Sequence, residues 1–291
     1  MFSCAVVGSR IVGMISLRGM TITDIPLGLK LVRQAGWNQL EADWLRFLGM
    51  QPDGCFVAEL DGQAVATTVT CTLGPVAWIA MVLVEASVRR QGVATALLRH
   101  ALDFLDGQGI RSVRLDATAA GRPVYEKLGF TPEYSLSRYD GVVPEGIGLG
   151  GSTEAGEGEY EEIVGFDQEA TGTPREKMLV RLFGESPNGV RILRRDGRLE
   201  GYVSVRKGAN AVEIGPCIAT TTAGETLLRD ALALCGGLRV FVDIPCDNPP
   251  AVRVAQQCGL QVQRQFTRMC RGEPVCDRPA FIYASSGPEK G

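Results

Sequence analysis

The sequence predicts an α/β (α+β) protein made of two tandem copies of one unit, each a mixed, mostly antiparallel sheet flanked by helices. Three observations predict it. A helical segment recurs: Leu97-Leu98-Arg99-His100-Ala101-Leu102 returns as Leu227-Leu228-Arg229-Asp230-Ala231-Leu232, 130 residues later. Its surroundings recur in the same order, which one chance match in a Leu/Ala-rich helix would not produce. Asp61-Gly62 and Asp196-Gly197 each sit between apolar runs and read as hairpin turns; residues 113–116 (VRLD) answer to 240–243 (VFVD), and 124–130 (VYEKLGF) to 254–260 (VAQQCGL). Finally, 291 residues with 45% apolar and 22% charged side chains suit two packed domains. The organisation expected is an extension over 1–14 read as disordered, a first copy over 15–140, a Gly/Glu-rich flexible linker or long loop over 141–162, and a second copy over 163–291.

The first copy opens with a short strand at 15–18. Thr23 can cap a helix over 24–35, with Asp24 favourable near its positive end, and Gly36 breaks it. A second helix is expected over 40–48, followed by a meander of strands at 55–60, 64–72 and 76–84. Val93, Ala96, Leu97, Ala101, Leu102 and Leu105 fall at helical spacing over 92–105. Then come a strand at 112–117, a short helix at 123–128 with Pro123 in its first turn and Gly129 at its end, and a closing strand from Phe130. In the second copy, 174–183 reads as a helix.

Composition excludes several functions. The net charge of −3 and a pI near 5.5 argue against nucleic-acid binding, which needs a basic face. No apolar run is long enough to cross a membrane, and 1–15 lack the basic start and long apolar core of a signal peptide. Nine scattered cysteines without a Cys-x-x-Cys pair read as reduced, mostly buried thiols of a cytoplasmic protein, and the single histidine, His100, completes no metal set.

The stretch with chemical potential is 81–94 (MVLVEASVRRQGVA): an apolar strand feeds a loop with two arginines, and Gly92 and Ala94 open a helix. A helix start exposes unpaired N–H groups and partial positive charge, small residues let a phosphate approach, and Arg89 and Arg90 add charge-assisted hydrogen bonds. A pyrophosphate fits this arrangement.

Arg89-x-x-Gly92-x-Ala94 after the strand at 81–84 resembles the coenzyme A signature of the GNAT superfamily of N-acetyltransferases, and Tyr125-Glu126-Lys127-Leu128-Gly129-Phe130 resembles its second hallmark. The resemblance covers the first copy by motif and the second by architecture, as in tandem GNAT proteins with a diverged second half. It implies an acyltransferase that moves an acetyl group from acetyl-CoA to an amine of a small molecule or peptide by direct attack. A non-catalytic acetyl-CoA-binding sensor is the alternative. In such a fold the strand holding Val82, Leu83 and Val84 splays from the next and pairs with the pantetheine arm, with a backbone N–H near Val82 on the thioester oxygen. Arg89, Arg90, Gln91, Gly92, Val93, Ala94 and Thr95 would cradle the pyrophosphate. Tyr125 stands where the family places its phenolic general acid.

Departures are visible. The strand before the loop lacks the Glu that many relatives use as base; Asp116 is the nearest replacement, though Asp243 at the matching place of the second copy also suits a structural role. Glu85, Glu41 and Asp43 are further carboxylates, each read as solvated. Thr118 stands where many relatives orient the cofactor with Asn; the second copy has Asn248. Trp37, Asn38 and Trp44 lie where the family builds its acceptor cleft, with helix packing as the plainer reading. In the second copy Arg89–Gly92 become Ala219, Thr220, Thr221 and Thr222, and Gly215-Pro216 interrupts the strand leading in, so no coenzyme A site is expected there. Its roles left open are covering the acceptor side, fixing orientation, or forming a homodimer.

Overall fold

A computed structural model describes residues 13–288, so the expectation for 1–14 lies almost wholly outside the described residues. The chain forms two compact units, Met1–Arg111 and Ser112–Gly291.

In the first unit, β1 (Ile15–Gly19), β2 (Cys55–Leu60), β3 (Gln63–Leu73) and β4 (Val76–Val84) form an antiparallel sheet in that order. The β2–β3 hairpin turns on Asp61 and Gly62 at φ 52° and 78°, left-handed values that match the twist of the flanking strands. Helices α1 (Ile25–Ala35) and α2 (Glu41–Met50) and the long α3 (Val93–Gly107) pack on this sheet. Gly28 of α1 makes room for the α2 indole, since a Cβ there would sit 2.6 Å from the Trp44 ring. The cap of α1 differs from expectation. Asp24, not Thr23, folds back, its carboxylate accepting from Thr21 N at 2.8 Å while Arg18 grips both oxygens at 2.8 Å.

In the second unit the elements are β5 (Ser112–Thr118), α4 (Arg122–Lys127), β6 (Thr131–Val142), β7 (Thr153–Glu154), α5 (Tyr160–Thr171), α6 (Glu176–Glu185), β8 (Val190–Arg195), β9 (Arg198–Arg206), β10 (Val212–Ala219), α7 (Gly224–Ala233), β11 (Arg239–Pro245), α8 (Pro249–Gln257), β12 (Gln261–Gly272) and β13 (Ile282–Ala284). The strand order is β5-β12-β6-β11-β10-β9-β8-β7, with β13 beside β10. Asp196 and Gly197 turn the β8–β9 hairpin at φ 50° and 77°, repeating the first copy's turn.

That order shows an exchange. β12, the closing strand of the second copy, lies between β5 and β6; β6, the closing strand of the first, lies on β11. Two buried ion pairs fix the register reciprocally. Arg268 on β12 meets Asp116 on β5 through Nε–Oδ1 and Nη2–Oδ2 contacts of 2.9 Å. Arg138 on β6 meets Asp243 on β11 at 2.8 and 2.7 Å. The exchange explains why β5, α4 and β6 group with the second unit.

The Gly/Glu-rich stretch is not loop throughout, since β6 runs to Val142, β7 takes Thr153–Glu154 and α5 starts at Tyr160, and between these elements it is held at several points. Val143 is buried in the apolar core and its amide donates to Leu238 O at 3.0 Å. Buried Asp230 accepts from Gly150 N at 2.5 Å and Ser152 N at 2.8 Å, and Arg191 Nε donates to the Ser152 hydroxyl at 2.7 Å. Most of these anchors are backbone amides, which any residue type supplies, so composition does not mark them.

Candidate active site

In the first unit, β4 carries a bulge. Thr67 pairs with Leu83 and Val69 with Ala80, so Met81 and Val82 together oppose Thr68. A bulge leaves one residue's backbone groups out of the ladder and bends the strand. Met81 takes φ 53°, a left-handed value costly for a side chain with a Cβ. The threonines of β3 hold the kink: Thr67 Oγ1 donates to Met81 O at 3.0 Å and Thr68 Oγ1 to Ala80 O at 3.3 Å. Such strain persists only where the surroundings enforce it, and it clusters at functional sites.

Beyond Val84 the chain enters the arginine loop. Arg89 Nε donates to Val84 O at 3.0 Å, tying the loop to the end of β4. Lys30 Nζ meets Glu85 Oε1 at 2.6 Å, so Glu85 is an ion-paired loop carboxylate. Arg90 at φ 63° and Gly92 at φ 85° reverse the chain into α3. Nothing lies within 4 Å of the place a Gly92 Cβ would take, so the space over Gly92 is open. Ala96 N is bonded to Gly92 O at 3.0 Å; the amides of Val93, Ala94 and Thr95 precede it in the first turn, where a helix supplies no acceptor. Arg89, Arg90, Gln91 and Gly92 are exposed. Anion-binding groups thus concentrate at one helix start, and the open cradle suits a diphosphate.

The acceptor-side expectation needs correction. Trp44 is fully buried against Gly28 in the helix packing, and Asn38 is 4% exposed, so neither forms a wall that a substrate can touch. Trp37 is half-buried. Asp43 caps α2 through Leu40 N and pairs with Arg46, each at 2.8 Å. His100 packs edge-on to Phe56, centroids 4.5 Å apart.

In the second unit, Tyr125 lies on α4, half-buried, its ring edge-on to Phe130. Burial pushes its phenol up to about 12, so it keeps its proton at neutral pH. Gly121, not singled out by sequence, seats this ring: a Cβ there would stand 2.9 Å from Tyr125 Cε2. Thr118 Oγ1 accepts from Gly121 N at 3.3 Å, so its hydroxyl closes the turn that starts α4. Asp116 is corrected from base to structural anion. It is buried with both oxygens committed to Arg268. Burial raises its carboxyl above the ordinary range while Arg268 opposes the rise, and protonating it would strand a buried guanidinium.

The second copy lacks these features. Its β10 bulge places Gly215 and Pro216 opposite Ser204, as Met81 and Val82 oppose Thr68, and a proline has no N–H to offer where Val82 has one. At the start of α7, Glu200 brings negative charge: its carboxylate accepts from Thr220 Oγ1 at 2.5 Å and Thr222 Oγ1 at 3.3 Å.

A strained strand of an antiparallel sheet thus feeds an arginine loop and a helix start, the features that the sequence resemblance ties to acyl transfer. Residues 29–130 match the profile described as the Acetyltransferase (GNAT) family, and 163–284 match that described as the Acetyltransferase (GNAT) domain. The chain belongs to the GNAT acetyltransferases, with two such domains in tandem. It is 27% identical over 226 residues to the uncharacterised N-acetyltransferase YitH of Bacillus subtilis, covering 76% of this chain and 78% of that one. It is 26% identical over 265 residues to the holothin acyltransferase of a Pseudoalteromonas species, covering 88% and 87%. A candidate acetyltransferase from Pyrococcus horikoshii shares the fold at TM-score 0.77 and 23% identity, covering 95% of this chain and 96% of its own. A tandem GNAT protein of the clavulanic acid pathway does so at TM-score 0.62 and 15% identity, covering 90% and 100%. The acyl-transfer chemistry follows from the family.

Proposed function

We propose that the chain transfers an acetyl group from acetyl-CoA to an amine of a small molecule or peptide by direct attack, using the N-terminal copy. The observation that carries this reading is the Arg89–Thr95 turn: left-handed Arg90 and Gly92, open space over Gly92, and first-turn amides ahead of α3. Acetyl-CoA supplies an activated thioester and a thiolate leaving group. Arg89, Arg90 and the amides of Gly92–Thr95 hold the diphosphate. Val82 N–H, at the β4 bulge, serves as donor to the thioester oxygen; one such donor contributes ~2.7–4 kcal/mol. Leu83 and Val84 offer backbone to the pantetheine arm, and Thr118 a hydroxyl. Tyr125 gives its proton to the leaving thiolate. The relative named for holothin supports a small-molecule acceptor.

The experiment is thiol release from acetyl-CoA across an amine panel. Amine-dependent release that falls about 10²–10⁴-fold in Tyr125→Phe is expected. Arg89→Ala with Gly92→Glu should abolish measurable acetyl-CoA affinity; unchanged affinity refutes the site. The sensor reading draws support from the correction of Asp116, Trp44 and Asn38, which takes away three residues expected on the base and acceptor side. Tight acetyl-CoA binding without turnover on any amine would select it.

A further inference from the structure

Within the unit Ser112–Gly291, β10 and β11 run side by side only briefly, Val212–Ile214 against Val240–Val242. Past Gly215 and Pro216 the neighbour of β10 changes: Cys217 pairs with Ala284 and Ile218 with Ile282 of β13. One residue on, Ser285 N donates to Asp243 O of β11 at 2.8 Å. The C-terminal segment therefore bridges the two strands where they stop pairing with each other.

Each part of that segment is gripped by a specific group. Asn248, at the start of α8, turns its Nδ2 to Ile282 O at 2.9 Å and Ala280 O at 3.3 Å, while its Oδ1 accepts from Ala251 N at 3.1 Å. One side chain thus caps α8 and holds an extended backbone. The Tyr283 ring covers the first residue of α7: a Cβ on Gly224 would lie 2.0 Å from it, and its hydroxyl donates to Thr221 O at 3.3 Å. Ser286 Oγ accepts from buried Arg175 Nη1 at 2.9 Å, and Ser286 O from Arg206 Nη2 at 3.1 Å. Gly215 is shaped to the segment, since a Cβ there would come within 2.0 Å of Ser285 O. Residues 282–286 are at most 3% exposed.

We propose that the gap between β10 and β11 is a binding site for an extended peptide backbone, and that its resident ligand is the chain's own residues 279–286. The recognition is mostly of main-chain groups, by strand addition and an Asn side chain, with one aromatic anchor over a helix start. This deepens the proposed function and rests on it in one respect: if the N-terminal copy holds acetyl-CoA, the C-terminal copy is already filled from within, and one acetyl-CoA binds per chain.

Two measurements on the full-length chain test this. In calorimetric titration with acetyl-CoA, a stoichiometry of one is expected; two per chain overturns the inference alone, whereas no binding at all refutes the proposed function and leaves the strand site to the second measurement. In hydrogen exchange read by mass spectrometry, amides of 282–284 and of 217–218, the stretches that pair across β13 and β10, should open together. Asn248→Asp keeps the acceptor for Ala251 N and replaces the donor to the segment. It should speed exchange at 282–284 and at 217–218 by tenfold or more, and leave 93–107 and acetyl-CoA affinity within twofold. If 282–284 become exposed while 217–218 keep full protection, or if the two stretches open independently in the unaltered chain, the segment is not a ligand of this site. The unaltered chain gives that answer even if Asn248→Asp does not fold.

Discussion

Asp116 and Tyr125 both carry a protonation-sensitive group raised by burial, yet their surroundings point to opposite uses. Asp116 is locked to Arg268, so Asp116→Asn should lower stability by about 3–5 kcal/mol, the usual effect of leaving one partner of a buried pair alone. Thermal unfolding checks this; a variant of unaltered stability with lost turnover would restore Asp116 as base. Tyr125 depends on Gly121, whose backbone at φ −83° tolerates alanine. The added methyl would press on the ring at 2.9 Å. Gly121→Ala is therefore expected to lower kcat by about tenfold through misplacement, with KM for acetyl-CoA within twofold and stability nearly unchanged. Unchanged kcat would remove Gly121 from the positioning role. Asp24 gives a pH prediction. Its hydrogen bonds to Arg18, more than to Thr21, hold its carboxyl down at about 2 against burial, below the ordinary 3.8. The folded form binds that proton less readily than the unfolded chain, so the stabilisation is complete above 3.8 and disappears as pH falls through 2. Asp24→Asn should flatten the acid limb of stability between those values; an unchanged acid limb would show that Arg18 does not stabilise the folded carboxylate.

At the scale of elements, the loop between β4 and α3 combines strain and binding. Arg90 is exposed at φ 63°, which costs a non-glycine residue about 1–2 kcal/mol. Glycine relieves that cost but adds about 0.5–1 kcal/mol of chain entropy to the unfolded state. Arg90→Gly should thus hold or slightly raise the melting temperature while weakening acetyl-CoA binding severalfold, as seen by calorimetry and thermal melts on one sample. Weakened binding together with a lowered melting temperature would instead mean that Arg90 shapes the loop. Local elements such as these were legible in the sequence because their determinants are local. Strands 55–60 and 76–84 fall on β2 and β4 without adjustment, and the two Asp-Gly turns were readable because left-handed positions restrict residue choice. The β4 bulge was not, because Met81 is a residue that nothing in composition marks for φ 53°. For Trp44 the sequence offered helix packing beside an acceptor wall and could not choose, because its partner is an absence, the missing Cβ of Gly28.

At the scale of the molecule, the tandem repeat was legible and the exchange of closing strands was not. Partner choice for a strand depends on tertiary pairing, and β6 and β12 have the same pattern whichever copy they complete. The signal available was the pair of arginines, Arg138 and Arg268, 130 residues apart and each opposite an aspartate of the other copy's strand. The exchange predicts that cutting the gene within 144–150 will not give two independently folded halves: the fragment ending there keeps β6 but lacks β12, its neighbour on both β5 and β6. Co-expression of the two fragments should recover soluble protein in a stable complex, and size-exclusion chromatography reads the outcome; two soluble, non-associating halves would contradict it.

The exchange also sets an order of events during synthesis. Ser112 of β5 is aligned with Gly272 of β12, so the ribosome must deliver about another 160 residues before β5 gains that neighbour. Until then β5 and β6 have unpaired edges, the kind that recruit strands from other nascent chains. Crowding of polysomes and slow elongation late in the message therefore lengthen the exposure of these edges and bear on the yield of this protein.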